Sequence, residues 1–308
     1  MPEKKSTPKK KKRNTKEDAR EVPSEVPSKF LIIDSSYYNF FRFFAAKKWY
    51  GFSPDRVEAS VGVPWLENKT FMDTFEKKWF ETIARLCSRF KINRSQLIFA
   101  RDGHDVWRYK LYPAYKANRD PPDGGEDDIH SPGPIFKHVN TDYHSRISPA
   151  NIILVEEAEA DDVIAVGVKF IRYRFPDAKI IIITGDHDLF QLAQDGIVDI
   201  YELKNNVHKF DISDPDAALR KKILGDPSDN IPSPFKGYRP GKGGIKKPKN
   251  DDLINDANVL KEFLKTFGDE TPYKKQYKLN KQLVDFKHIP MEVCLDIESR
   301  FSEIFGLP

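Results

Sequence analysis

Short apolar runs alternate with longer amphipathic stretches over the first two thirds of the chain. Runs of strand length occupy positions 30–34, 96–102, 151–155 and 179–184, with a terminal pair at 197–201 and 207–210. The predicted helices between and after them are 37–44, 71–90, 135–146, 163–173 and 186–194. The stretch 71–90 carries large apolar residues at i, i+4 and i+8, which is typical of a helix with one buried face. Strands that alternate with helices predict an α/β fold whose sheet is covered on both faces.

Helical patterns dominate the last third of the chain. The predicted helices there are 214–224, 251–267, 273–285 and 290–304, and a segment rich in Gly, Pro and Lys, 225–250, interrupts them. The first residues contain almost no large apolar side chains, so they cannot offset the entropy of ordering. We therefore predict a disordered basic tail at 1–29, an α/β domain at 30–212 and a helical domain at 213–308.

Lysine and arginine are concentrated in two blocks, although the net charge of the 308-residue chain is only +4. The first block spans 4–13 and the second 236–249. Together with a concentrated group of acids, they fit a polyanionic substrate that is handled by metal ions. Taken alone, each block is as consistent with a solvated surface or a tail as with a contact to such a substrate. The first block also resembles a nuclear-import signal.

Cysteine content and hydropathy narrow the class of protein. Cys87 and Cys294 are the only cysteines, which excludes a disulfide scaffold and a four-cysteine zinc site. No apolar run reaches the length of about 18 residues that a membrane helix needs. The N-terminus is too polar for a secretory signal. We expect no membrane span and an intracellular, reducing compartment.

Acidic side chains follow the predicted strands and then recur near the start of the helical part. They are Asp34, Asp102, Glu159, Asp161, Asp162, Asp186, Asp188, Asp226 and Asp229. Each cluster alone also fits the first turn of a helix or a turn after a strand. If the strands are parallel, however, their carboxyl ends meet at one edge of the sheet. So many carboxylates cannot all stay ionised there without cations, which predicts a site for two Mg²⁺ or Mn²⁺ ions.

Basic and aromatic residues are interleaved between 108 and 119. Lys116 is suited to a point-charge contact with a phosphate, and Arg119 to a bidentate contact. Tyr112 and Tyr115 could stack on a terminal base. A surface helix with long amphipathic side chains is the alternative interpretation of this segment.

Six motifs in order resemble those of the 5′-nuclease (flap endonuclease) family. They are Phe30-Leu-Ile-Ile-Asp34, Asp102-Gly with Trp107-Arg108, Tyr115-Lys116-Ala-Asn-Arg119, Glu159-Ala-Asp-Asp162, Thr184-Gly-Asp-His-Asp188 and Gly225-Asp-Pro-Ser-Asp-Asn-Ile-Pro232. The resemblance covers about residues 30–235. The segment 283–290 and its neighbouring helices look most like the T-even phage ribonuclease H branch.

The resemblance implies a PIN-like α/β nuclease core and a helix–three-turn–helix element that grips duplex DNA. The implied activity is Mg²⁺-dependent 5′→3′ exonuclease and flap endonuclease cleavage of RNA·DNA and DNA duplexes, with removal of RNA primers in replication. The implied partners are duplexes with 5′ ends or flaps, with a sliding clamp or a single-strand-binding protein as candidates. We expect a monomer in the cytoplasm, that of the host if the protein is phage-encoded, with the nucleus as an alternative suggested by the basic tail.

The resemblance also implies roles for individual residues. Asp102, Glu159 and Asp161 would bind one ion, with Asp34 acting partly through water and Asp186 nearby. Asp188, Asp226, Asp229 and Asp162 would bind a second, more loosely held ion. The predicted catalytic residues are Lys116, Arg119 and Asp102. The predicted nucleic-acid contacts are Arg42, Arg108, Tyr112, Tyr115, Lys116, Arg119, Lys236, Arg239, Lys242, Lys246 and Lys247.

Two segments depart from the family pattern, and three other functions stay open. The region that matches the family's arch, 105–146, is short and rich in Pro and Gly. The segment 233–248 is longer and more basic than the Gly-rich, potassium-binding hairpin that the family usually has. A PIN-type RNA endonuclease would share the acidic α/β core. A phosphohydrolase with an aspartate nucleophile typically has a second Asp two residues after the first, where Ser36 stands here. A non-catalytic structure-specific DNA-binding protein is the third alternative.

Overall fold

A computed structural model describes residues 27–52, 62–119, 131–147, 151–194, 196–204, 207–208 and 214–306. The predicted basic tail lies outside these ranges except for 27–29, and Lys29 already opens the first strand. The predicted domain boundary near residue 212 and the end of the strand predicted at 207–210 also lie outside them.

Six strands form one sheet in the order β3-β2-β1-β4-β5-β6. They are β1 (Lys29–Asp34), β2 (Leu97–Arg101), β3 (Ile152–Leu154), β4 (Lys179–Ile183), β5 (Val198–Glu202) and β6 (Val207–His208). Strands β1 to β5 are parallel, and β6 pairs antiparallel with β5. The central strands are almost entirely buried, because helices cover both faces of the sheet. The predicted α/β fold is confirmed.

Helices surround the sheet and form most of the last third of the chain. They are α1 (Ser35–Tyr50), α2 (Lys69–Phe90), α3 (Trp107–Leu111), α4 (Gly133–His138), α5 (His144–Ile147), α6 (Ala160–Arg174), α7 (Pro215–Ile223), α8 (Asn250–Asn255), α9 (Ala257–Lys265), α10 (Pro272–Val284) and α11 (Met291–Phe305). None that the structure describes combines the length and apolar character needed to cross a membrane.

Alternate residues of β1 enter the cores on opposite faces of the sheet. Leu31 and Ile33 belong to a core with α1 and α2, which includes the fully buried Trp79. Phe30 and Ile32 belong to the other core, with α6 and α11. This two-residue period fixes which side chains each helix layer must cover. The last helix is therefore part of the sheet's own core.

Three predicted helices differ from those in the structure. The segment predicted at 186–194 forms a shorter 3-10 helix, His187–Leu192. A π-helical turn, Val139–Tyr143, interrupts the helix predicted at 135–146. The helix predicted at 251–267 divides at Asp256, whose side chain accepts hydrogen bonds from two backbone N–H groups of α9. The aspartate caps α9 and thereby starts a new helix. The apolar periodicity continues across this break, which is why the sequence predicted one helix.

The contact between α6 and α11 gives a test of the packing. An ideal Cβ on Gly167 would lie 2.2 Å from Cζ of Phe301, whose ring is fully buried. Gly167→Ala should therefore destabilise the protein by about 1–3 kcal/mol through overpacking. Gly268→Ala is the control, because a Cβ there meets nothing within 4 Å. Urea denaturation should show a lower midpoint for Gly167→Ala alone, and equal midpoints would contradict this packing.

Candidate active site

The carboxyl ends of the parallel strands bring the predicted acids to one edge of the sheet. Asp34 ends β1, and its side chain accepts hydrogen bonds from Tyr37 N and Thr184 Oγ1, both at 3.0 Å. Asp102 follows β2 and accepts from Ser36 Oγ at 2.6 Å and from Ala160 N at 2.9 Å. These bonds fix two carboxylates beside the N-termini of α1 and α6.

Electrostatic repulsion among the acids is strong at this edge. Burial and the neighbouring Asp102 and Asp186 raise the pKa of Asp34 to about 7. Burial together with Asp186, Asp34 and Asp188 raises the pKa of Asp161 well above its ordinary value. Burial and Asp186 raise the pKa of Asp188 to about 7, despite the opposing effect of a nearby lysine. A divalent cation would relieve this repulsion.

Three of the acids form a second, compact group. Asp188, Asp226 and Asp229 can each direct one oxygen into a cluster whose oxygens lie within 4.8 Å of one another. Asp226 is held by reciprocal 2.8 Å backbone bonds to Ile231. Gly225 precedes it with φ at +126°, and a Cβ there would lie 2.9 Å from the backbone N of Ser233, so glycine is required.

The carboxylate oxygens suit hard divalent ions such as Mg²⁺ or Mn²⁺ in both groups. The first group comprises Asp34, Asp102, Glu159, Asp161 and Asp186, which the structure places at the ends of β1, β2 and β4 and at the start of α6. The second comprises Asp188, Asp226 and Asp229. The raised pKa values of Asp34, Asp161 and Asp188 indicate negative charge that the protein leaves partly uncompensated.

Cations of the protein compensate part of this charge. Glu159 accepts hydrogen bonds from Arg108 at 2.8 Å, from the Tyr115 hydroxyl at 3.0 Å and from the Lys116 ammonium. Burial would raise the pKa of Glu159, but Lys116 and Arg108 hold it below its ordinary value. The sequence interpretation missed Lys222, which bridges Asp188 and Asp226. The sequence did contain a signal for this contact, because Lys222 is at the end of a predicted helix and four residues before Asp226.

Arg108 and Asp162, which were predicted to contact nucleic acid and a metal ion, form a buried ion pair with each other. The Arg108 guanidinium donates to both oxygens of Asp162 at 2.6 and 2.7 Å and to the carbonyl of Leu283 at 2.7 Å. Trp107 Nε1 donates to the same carboxylate at 3.0 Å. Both side chains are buried. Each group thus has the other as its partner, and the metal-binding role of Asp162 and the nucleic-acid contact of Arg108 stay predictions.

Two further residues that were predicted to contact nucleic acid are buried in the structure. Tyr115 is buried, with its hydroxyl 3.0 Å from Glu159 and 3.2 Å from Asp229, so its ring cannot stack on a base. Arg42 is buried on α1, where burial lowers its pKa despite the neighbouring Tyr38. Both side chains are buried by the tertiary fold, which no periodicity in the sequence could have shown.

Lys116 and Arg119 are anchored at the edge of the acidic cluster. Lys116 has a left-handed backbone (φ +55°), and its N–H donates to the carbonyl of Asp229 at 2.9 Å. Arg119 binds the Asp229 carboxylate, with half of its own side chain still exposed. Asn230 Nδ2 fixes the same segment by donating to the carbonyl of Ala114 at 2.7 Å. The two cations are thus positioned by the loop that carries the second acidic group.

The remaining predicted contacts lie in the helical part or near it. Lys236, Arg239, Lys242 and Lys246 are exposed, while Lys247 donates to Asn250 Oδ1 at 2.6 Å. Tyr238 holds this basic loop by donating to the carbonyl of Ile245 at 2.8 Å. Tyr112 is half-buried, and its hydroxyl lies 3.3 Å from the carbonyl of Asn230. Their contact with nucleic acid stays a prediction.

Solved structures with a similar fold come from bacteriophage T5. Its 5′-exonuclease with bound zinc ions superposes with a TM-score of 0.59 at 17% identity, covering 90% of this chain and 99% of that one. Its flap endonuclease in a complex with DNA and metal ions has a TM-score of 0.58 at 16% identity and the same coverage. These likenesses show the fold.

Curated relatives include two bacterial proteins that the chain matches over part of their length. DNA polymerase I of Caldicellulosiruptor bescii is 30% identical over 178 residues, 53% of this chain and 19% of that protein. A 5′-3′ exonuclease of Streptomyces coelicolor is 30% identical over 198 residues, 58% of this chain and 60% of that protein. The family described as 5′-3′ exonuclease, N-terminal resolvase-like domain, matches residues 29–222, which is more than half of the 308 residues. The acidic edge of the sheet thus lies within a recognised nuclease domain, and the protein belongs to the 5′-nuclease (flap endonuclease) family.

Proposed function

We propose that this protein is a divalent-metal-dependent 5′→3′ exonuclease and flap endonuclease. Its substrates would be phosphodiesters at the 5′ ends of DNA and RNA·DNA duplexes. The observation that carries the proposal is that one carboxylate group at the strand ends and a second one, on the 3-10 helix after β4 and the loop after α7, have Lys116 and Arg119 anchored beside them. Membership of the family supports it.

The two carboxylate groups would hold two Mg²⁺ ions, for which Mn²⁺ could substitute. Asp34, Asp102, Glu159, Asp161 and Asp186 would hold the first ion, and Asp188, Asp226 and Asp229 the second. When bound, such ions supply Lewis-acid activation and neutralise charge on a phosphodiester that is cleaved by water. The carboxylates bring this positive charge into a cleft that would otherwise repel a polyanion.

Lys116 and Arg119 would bind the scissile phosphate and stabilise its charge in the transition state. Both are held by acidic partners, Glu159 and Asp229, so their positions are fixed before substrate arrives. The Lys116 side chain is mostly buried, and a cation in a partly desolvated site acts more strongly than one in water. In-line hydrolysis would leave 5′-phosphate and 3′-hydroxyl ends.

The helical part would hold the duplex. Its exposed basic loop offers Lys236, Arg239, Lys242 and Lys246 to phosphates, and Lys247 lies beside them. The phage T5 flap endonuclease has been solved in complex with DNA, which supports DNA as a ligand of this fold. We propose that the protein removes RNA primers during replication. It would act as a monomer and contact a sliding clamp or a single-strand-binding protein. The relationship to a DNA polymerase I supports the replicative role.

The first test measures metal-dependent cleavage. With Mg²⁺, the protein should shorten a 5′-flap and a 5′-labelled RNA primer on DNA far faster than unstructured RNA. Asp161→Asn should lower the single-turnover rate at least about a thousandfold, the equivalent of about 4 kcal/mol. Asp177→Asn is the matched control, because Asp177 is exposed just before β4, at the opposite edge of the sheet. Normal cleavage by Asp161→Asn, or faster cleavage of the unstructured RNA, would refute the proposal.

Lys116 should act on the chemical step. Lys116→Ala should slow single-turnover cleavage by roughly a hundredfold to a thousandfold, as loss of a preorganised charge donor does. Duplex affinity should change much less, since the basic loop remains. Lys110→Ala is the control, because Lys110 is a largely exposed partner of Glu157. If the two variants cleave equally fast, Lys116 has no catalytic role.

Divalent-ion binding should weaken as the pH falls through about 7. Asp34 and Asp188 have pKa values of about 7, and an ion must displace their protons. Without ions, the folded state binds these protons more tightly than the unfolded chain, whose aspartates have a pKa of 3.8. The contribution of the two aspartates to the stability of the fold therefore decreases as the pH rises from about 4 to about 7. Mn²⁺ should therefore raise the melting temperature more at pH 8 than at pH 5. A gain that is equal at both pH values would contradict these shifts.

A further inference from the structure

Lys222 lies at the second carboxylate group. Its Nζ is 2.8 Å from Asp188 Oδ1 and 2.6 Å from Asp226 Oδ2. These two aspartates and Asp229 are the residues whose oxygens lie within 4.8 Å of one another. A positive charge of the protein itself thus occupies the position between two of the three candidate ligands.

The fold builds this contact. Lys222 is on the last turn of α7, and α7 packs against the 3-10 helix His187–Leu192 that carries Asp188. Asp226 follows four residues after Lys222, in the loop that α7 leads into. A simple surface pair between neighbours on one helix would not include Asp188. The Lys222 side chain is only 20% exposed, so both helical segments and the loop hold it in place.

The ammonium and a divalent ion would need the same oxygen atoms. A hard divalent ion binds carboxylate oxygens at about 2.0–2.6 Å, which is closer than an ammonium approaches them. Two cations in contact with Asp188 Oδ1 and Asp226 Oδ2 would also repel each other strongly in this partly buried site. Binding of one cation to these oxygens therefore weakens the binding of the other.

We propose that Lys222 is a resident counter-cation that a divalent ion must displace in order to bind the second carboxylate group. The inference rests on the proposed function, because it takes this group to be the second metal site. Lys222 stabilises the acidic group when no ion is bound and lowers its affinity for the ion. One fifth of its side chain is exposed, so Lys222 is not sealed in the interior of the protein. Occupancy of the second site, and with it cleavage, then depends on the divalent-ion concentration.

The affinity test uses the full chain without nucleic acid. Calorimetric titration with Mn²⁺ should show two sites in the wild type, the second being the weaker. Lys222→Met should tighten the second site at least about tenfold, because no ammonium competes for its oxygens. It should also lower the melting temperature in the presence of a chelator, where the acids lose their counter-cation. Lys221→Met is the matched control, since Lys221 is exposed on the same helix and carries the same charge.

A second measurement needs no variant. Acetylation of the wild-type protein by an amine-reactive ester, followed by peptide mass spectrometry, reports how accessible each lysine is. Reactivity of Lys222 should rise when Mn²⁺ saturates the protein, and that of Lys221 should stay the same. Unchanged protection of Lys222 at saturating Mn²⁺ would show that it is not displaced.

The outcomes separate this inference from the proposed function. Mn²⁺ binding and cleavage by the wild type, with an unchanged second affinity in Lys222→Met, would overturn the inference alone. A wild-type protein that binds no ion would overturn both. Tighter binding in Lys222→Met, with Lys221→Met unchanged, would support the inference.

Discussion

Mutual repulsion among carboxylates at the carboxyl edge of the sheet is the constraint on which the rest of the structure depends. Parallel strands deliver Asp34 and Asp186 to the same edge, and α6 adds Asp161 beside them. Burial makes the repulsion stronger, as the raised pKa values of Asp34 and Asp161 show. Cationic side chains from distant segments compensate part of this charge: Arg108, Lys116, Arg119 and Lys222. Three of them, Arg108, Arg119 and Lys222, also connect the α/β part to the helical part.

The buried pair of Arg108 and Asp162 shows this coupling most clearly. The guanidinium joins α3 to α6 and also binds the carbonyl of Leu283 near the end of α10. A buried charge that loses its partner costs about 3–5 kcal/mol, so this pair holds the three segments together. The apolar core adds to it, since α11 packs on α6 under the same sheet. The acidic site therefore belongs to both parts of the chain.

The cations around the site differ in what they can do. Arg108 is buried and donates to Leu283, Glu159 and Asp162, which suits it to holding the fold. Lys116 and Arg119 are anchored by acids but reach the edge of the cluster, which suits them to a phosphate. Lys222 shares its ammonium between two carboxylates that an ion would also use. A 5′-nuclease of this design would neutralise its acidic cleft partly with its own side chains and partly with bound ions.

The sequence by itself determined the strands, the α/β class and the position of an acid after each central strand. These features are local, because run length and residue period depend on near neighbours. Only the tertiary structure decided which acids face the cleft and which cations meet them. Asp161 and Asp162 are adjacent in sequence, yet one lies among acids and the other is enclosed by Arg108. Arg108 and Leu283 are 175 residues apart. Such contacts are set by packing across the whole chain, and no local pattern encodes them.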